Sequence, residues 1–135
     1  MNSPRALHSL LFAFALVILP IAACATSPVM NSVMVTATAY NSTKSQTNHD
    51  PATAAWGDQL KPGMKAIAVS KDLLDAGLVR GTKVKIDGLH GEYTVLDRMP
   101  SQWSKRIDIY MGTDVPAARR WGKREVRIQW APLDD

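Results

Sequence analysis

Val95-Leu96-Asp97-Arg98-Met99-Pro100-Ser101-Gln102-Trp103-Ser104-Lys105-Arg106-Ile107-Asp108-Ile109-Tyr110 holds two short β-type runs, each with one carboxylate, joined by a polar loop with a proline near its start. Side chains alternate along a strand, so Tyr93, Val95 and Asp97 are expected on one face of the first run, with Asp97 at its end. In the second run Ile107, Ile109 and Met111 point to a core, and Arg106, Asp108 and Tyr110 point the other way. An acid at a strand end and an acid on a neighbouring polar face can line one cleft.

The same alternation extends outward from this stretch. Val33, Val35, Ala37 and Ala39 share one side of a strand, with Thr36, Thr38 and Tyr40 on the other. Ala66-Ile67-Ala68-Val69 is a short apolar strand, and Ser70 stands where it can cap a brief helix over 71–76 that Gly77 would end. Lys83 to Asp87 alternates cleanly, and Asp87-Gly88 and His90-Gly91 mark a turn into Glu92–Asp97. Past the second acidic strand, Asp114 can cap a last helix, with Pro116 in its first turn and Gly122 beyond its end. Glu125 to Trp130 closes the series and buries Val126, Ile128 and Trp130. Residues 41–63 are long, polar and unpatterned, with turn signals at Asn48-His49-Asp50-Pro51 and Pro62-Gly63. Thr53, Ala54, Ala55 and Trp56 are too apolar for a solvated linker, so an ordered loop folded over the barrel mouth is expected. No internal repeat stands out. Six strands with two short helices in a chain this small indicate a mainly β, closed barrel.

The N-terminus reads as an export signal. Arg5 gives a weakly positive start, Leu10 to Ile21 is almost wholly apolar, and small residues follow. The run is short and interrupted by Pro20, which does not suit a membrane-spanning helix. Ile21-Ala22-Ala23-Cys24 resembles a bacterial lipobox, and Cys24 is the only cysteine of the 135 residues, so it has no intrachain disulfide partner. Two readings stand: lipidation of Cys24, or an ordinary signal cleaved nearby that leaves Cys24 as a chance residue. The expected division is a lipoprotein-type signal over 1–23, a tether over 24–32 and the barrel over 33–131. Acyl chains on Cys24 would tie the protein to a membrane, facing the periplasm from the outer membrane if the cell is Gram-negative.

Formal net charge is +4, with lysines and arginines scattered rather than gathered in a stripe. That balance favours polyanionic surroundings such as cell-wall polymers or anionic headgroups. Export argues against nucleic acid as a partner, and the chain is expected to act as a monomer.

Specific resemblance rests on an ordered set of pieces: Thr38-Ala39-Tyr40, Ile67-Ala68-Val69, Gly81-Thr82-Lys83-Val84, the strand ending in Asp97, Arg106-Ile107-Asp108-Ile109-Tyr110, and Ala117 through Trp121-Gly122 to Val126-Arg127-Ile128. Together they resemble the three-aspartate (3D) domain over about Val33 to Trp130. That family is similar in fold to the double-psi β-barrel of membrane-bound lytic transglycosylase A, which cleaves peptidoglycan to leave a 1,6-anhydro sugar. The resemblance implies a six-stranded double-psi barrel acting on peptidoglycan glycan strands, with Asp97 as general acid/base and Asp108 as the acid of the following strand. The first family aspartate does not carry over, because Ala68-Val69 is followed by Ser70, and Asp72 is expected to face elsewhere. The implied alternative is a non-catalytic glycan-binding or envelope-assembly lipoprotein.

A lytic cleavage can run on one carboxyl that protonates the leaving oxygen and takes the proton of the attacking hydroxyl, unlike the two-carboxyl hydrolysis of ordinary glycosidases. By residue type alone, Asp108 between Arg106 and Tyr110 is either a salt-bridged surface acid or a site residue, and Asp97 either a turn former or a site residue. Tyr40, Thr53 and Trp56 offer hydroxyls and aromatic faces to a sugar, though Trp56 and Trp103 equally suit packing. Packing is expected for Trp121 and Trp130. His8, His49 and His90 have no cysteine or glutamate at ligand spacing, so neither a metal nor another cofactor is expected.

Overall fold

The computed structural model describes residues 12–43 and 52–133. The start of the apolar segment over 1–11, with His8, and the turn over Asn48–Pro51, with His49, lie outside the described residues. Residues 12–30 form neither helix nor strand, and Phe12, Phe14, Leu16 and Ile21 are exposed there rather than packed on the barrel. No helix among the described residues is long and apolar enough to cross a membrane.

The described residues form eight elements: β1 (Asn31–Tyr40), β2 (Ala66–Val69), α1 (Lys71–Asp75), β3 (Lys83–Ile86), β4 (Glu92–Arg98), β5 (Arg106–Tyr110), α2 (Val115–Trp121) and β6 (Arg124–Trp130). The strands close into a barrel in the order β1-β5-β2-β4-β3-β6. The expected mainly β barrel with two short helices is therefore observed. Two of its pairings are parallel, β1 with β5 and β2 with β4, and the rest are antiparallel.

This order contains a pseudo-twofold relation. The chain runs strand, strand, helix, strand twice, and exchanging β1, β2, α1 and β3 for β4, β5, α2 and β6 reproduces every pairing. The axis passes between Ala68 and Asp108, which face each other across β2 and β5. No strand pairs with a strand of its own half. The two halves interlock through their parallel crossovers, which is the double-psi arrangement.

Alternation supplies the core. Val35 and Ala37 of β1, Ile67 and Val69 of β2, Val84 and Ile86 of β3, Val95 of β4, Ile107 and Ile109 of β5, and Val126 and Ile128 of β6 all point inward and are buried. Each such aliphatic side chain contributes on the order of 1.5–3 kcal/mol when removed from water. Trp121 and Trp130 are packing residues, as expected, and the Trp121 indole N–H donates to the Ala37 carbonyl at 3.3 Å, which docks α2 on β1. Asp114 caps α2 by accepting from the Ala117 N–H at 3.0 Å. Ser70 sits at the N-cap of α1, but its hydroxyl serves another purpose. It accepts the Arg106 N–H at 3.1 Å and so joins the end of β2 to the start of β5. Asp72 faces the β4–β5 connection, where it accepts the Lys105 N–H at 2.9 Å and the Ser104 hydroxyl at 3.3 Å.

Two expectations are corrected here. Tyr93, Val95 and Asp97 do not share a face. Ile67 stands beside Val95, but Ala68 stands beside Asp97, so β4 carries an extra residue at Leu96. This bulge leaves Val95 buried in the barrel and turns Asp97 to the outer wall with Ala68. Nor does the described part of the long loop lie over the barrel mouth. It packs Ala54 and Leu60 against Ala66 and Tyr110, with Met64 and Leu96 beside them, on the outside of β2 and β5. Small and aromatic residues on that wall give the loop an apolar seat, which explains why β2 is buried on both faces.

Candidate functional site

Register alone places one row of side chains across the outer wall. Thr38 of β1 pairs with Asp108 of β5, Asp108 with Ala68 of β2, and Ala68 with Asp97 of β4. Paired residues in a sheet point to the same face, so both carboxylates face outward with only a methyl group between their strands. The two acids singled out from the sequence are brought together. They share the site with Tyr40, two residues past Thr38 on the same face of β1.

Asp97 is held by the loop that crosses the wall. Its Oδ1 accepts the Ala55 N–H at 2.8 Å and the Arg98 N–H at 2.9 Å, and the Tyr40 hydroxyl donates to Oδ2 at a long 3.5 Å. Asp108 accepts the Thr38 hydroxyl at 3.1 Å. It is half-buried and forms no ion pair among the described residues, so it is not a salt-bridged surface acid. Burial pushes its carboxyl above the usual carboxylate range. The Thr38 hydrogen bond and the Arg106 guanidinium oppose that rise, and the nearby Asp97 charge adds to it.

Tyr40 links the two acids electrostatically. Burial, then the charges of Asp97 and Asp108, push its phenol far above the ordinary range, so it stays a hydrogen-bond donor across physiological pH. Its ring tilts against Tyr110 with centroids 5.5 Å apart, and the Tyr110 hydroxyl shares a 2.8 Å hydrogen bond with Ser42. Farther along β5, the Arg106 guanidinium stacks 3.9 Å from the Trp103 ring centre, and Trp103 stays partly exposed.

Trp56 and Thr53 ride on the cover loop. Trp56 follows Ala55, the residue that grips Asp97, and is 36% exposed beside the row. Thr53 pairs with Gln59 in a small bridge and accepts the Gln59 side-chain amide at 2.7 Å, which braces the loop. Cys24 is exposed and far along the chain from this wall. Among the described residues, no group of three or more His, Cys, Asp or Glu side chains comes together that could hold a metal ion.

Three contributors escaped the sequence reading: the Thr38 hydroxyl, the Ala55 N–H and the small side chain of Ala68. Thr38 had a usable signal, since it shares a polar face with Tyr40. The other two depend on partners distant in sequence. The finished arrangement presents two acceptor carboxylates, hydroxyl donors and an exposed indole on an outer wall, a set that suits the hydroxyls and faces of sugars.

No protein-family model matches this chain, and no curated protein does. Among solved structures it is similar to apo Clavibacter michiganensis expansin, with 16% sequence identity and a TM-score of 0.50 over 78% of this chain. The match covers 52% of the expansin chain, so this protein spans about half the length of that neighbour. At that identity the likeness is one of fold.

Proposed function

We propose that this barrel binds a polysaccharide of the cell envelope, peptidoglycan above all, along the outer wall of β5. The observation that carries the reading is the row Thr38–Asp108–Ala68–Asp97, in which two carboxylates stand in register, each with protein donors attached. Carboxylates fixed in this way accept hydrogen bonds from sugar hydroxyls without first losing side-chain entropy. Trp56 supplies a face for a pyranose ring at the loop side of the row. The resemblance to the three-aspartate domain and the export-type N-terminus point to the same class of partner. In this reading Cys24 carries the lipid that keeps the barrel in the envelope.

A catalytic reading has one observation of its own in support. Asp108 has its carboxyl pushed above the usual range by burial, and Asp97 stands one small residue away. In a lytic cleavage, a carboxylic acid would give its proton to the glycosidic oxygen. The sugar's own hydroxyl would then attack the anomeric carbon, and the carboxylate would take that hydroxyl's proton. No water is consumed. The family pattern proposes Asp97 for this acid/base role, while the carboxyl that burial raises is that of Asp108, which in this reading orients the sugar and tunes its neighbour.

Purified sacculi test both readings. Binding without soluble anhydro-muropeptides, reduced at least tenfold by Asp108→Asn or Asp97→Asn, is the outcome expected for the binding module. Release of anhydro-muropeptides that Asp97→Asn abolishes would establish the enzyme instead. Absence of both binding and product from the wild type would overturn the proposal. Incorporation of labelled fatty acid that Cys24→Ala removes checks the anchor in the same preparation.

A further inference from the structure

A cavity of about 470 Å³ opens between α1 and the chain leaving β4, lined by Lys71, Leu74 and Asp75 on one side and Arg98, Met99 and Ser101 on the other. We propose that it is a second binding site, for a short carboxylate-bearing peptide branch carried by the glycan held at the acidic row. The inference rests on the glycan reading and names what else that polymer must carry.

Charge selects the ligand. Lys71 and Asp75 neutralise each other through a 2.7 Å pair, whereas Arg98 makes no ion pair among the described residues. One positive charge is therefore left over at the rim. A guanidinium binds a carboxylate through two parallel N–H donors, and one unmatched cation suits a monoanion better than a doubly charged phosphate. Leu74, packed on the barrel core, and Met99 make the rest of the lining largely apolar, which fits short aliphatic side chains. The size is that of a site for a few residues of peptide rather than one ion.

Continuity with the acidic row supports the same occupant. Arg98 follows Asp97 at the end of β4 and pairs with Val69, so its side chain turns to the other face of the strand and the cavity's free cation lies round the strand end from the sugar-facing carboxylate. The acidic row repels a ligand's carboxylate, and the cavity attracts it. A branched polymer with a neutral sugar face and an anionic arm satisfies both at once, with the arm directed past β4 toward α1. Avidity then favours the branched polymer over either part alone.

Titration calorimetry on the full chain tests this with four probes: a disaccharide bearing a tetrapeptide with free carboxylates, the same compound amidated, the free tetrapeptide, and inorganic phosphate. Amidation is expected to weaken wild-type binding about tenfold, the effect of losing a charge-assisted hydrogen-bonded pair. Arg98→Gln should bring the two disaccharide compounds to equal affinity. Ser101→Glu, which adds a negative charge at the rim, should narrow the difference as well. Equal wild-type affinity for the free and amidated compounds, or a preference that survives Arg98→Gln, would overturn the cavity assignment while leaving sugar binding intact. Competition by phosphate at millimolar concentration would overturn it in favour of a phosphate site. Arg98-dependent binding of the free tetrapeptide, with no sacculus or sugar binding at all, would uphold the cavity and overturn the glycan reading instead.

Discussion

The two halves of this barrel share a skeleton and divide the work. At positions related by the pseudo-twofold, β1 carries Thr38 where β4 carries Asp97, β2 carries Ala68 where β5 carries Asp108, and Ser70 stands where the other half has Tyr110. Both acids belong to the second half. The first half supplies a hydroxyl that donates to each of them, Thr38 to Asp108 and Tyr40 to Asp97, together with the small residue between them and the loop that covers them. Connections differ in the same sense, since residues 41–65 join β1 to β2 while residues 99–105 join β4 to β5. A site on a symmetry axis would see the same chemistry from both sides. Here the polarity comes from residues that break the relation, and the skeleton only brings them together.

The largest effect is expected from restoring the symmetry. Ala68→Asp puts on β2 the acid that β5 already carries, leaving three carboxylates in one row at a position only 5% exposed. An uncompensated buried charge of this kind costs about 3–5 kcal/mol at neutral pH. Part of the loss should be recovered at pH 4, as the added acid takes up a proton. Urea unfolding at both pH values checks this, and a change under ~1 kcal/mol would mean that the row is wetter and wider than its register implies.

A smaller loss is expected where the long connection of the first half meets the second. Gly112 has φ +55°, and a Cβ there would stand 3.0 Å from Pro62 Cα. Gly112→Ala should cost about 2 kcal/mol, from the left-handed backbone and the crowding of the cover loop together. Limited proteolysis within 52–64 should accelerate in parallel. Unchanged stability and cleavage would show that the loop's seat on the wall is not braced at this point.

The smallest effect carries the opposite sign. Because the folded-state carboxyl of Asp108 titrates above its unfolded value, the native chain holds the proton longer than the unfolded one. Asp108 therefore carries no penalty below the unfolded value of about 3.9, and a growing one as pH rises through the raised folded value. Asp108→Asn keeps an acceptor for Thr38 and removes that penalty. Its melting temperature should exceed wild type by about 2 °C at neutral pH, with the gap closing near pH 3. A lower melting temperature than wild type at pH 7 would show that the ionised carboxylate is stabilised where it stands.

Strands were legible because alternation and burial are local: Val126, Ile128 and Trp130 announce β6 without reference to any partner. So was α2, through Asp114, Pro116 and Gly122. Asp97 was identified as a candidate but assigned to the wrong face. The bulge at Leu96 is a property of two strands in register, and one strand's alternation does not contain it. The seat of the cover loop depends on Ala66 and Tyr110, which are distant from it in sequence. The pseudo-twofold left no readable repeat, because the residues it relates at the site differ in size, charge and polarity. Alternation found the acids, resemblance implied their roles, and register showed what surrounds them.

That every pairing of the barrel strands joins one half to the other has a consequence for how the chain is made. When β1, β2 and β3 have left the ribosome, none has a partner, since their neighbours in the sheet are β4, β5 and β6. Strand β1 waits for β6, Arg124–Trp130, before its long antiparallel pairing can form. Contacts this distant slow folding and keep the first three strands unpaired until the second half of the barrel has emerged. A chain in that condition can still be threaded through a narrow pore. The interlock that makes the finished barrel one inseparable unit thus also postpones its closure until β6 has emerged.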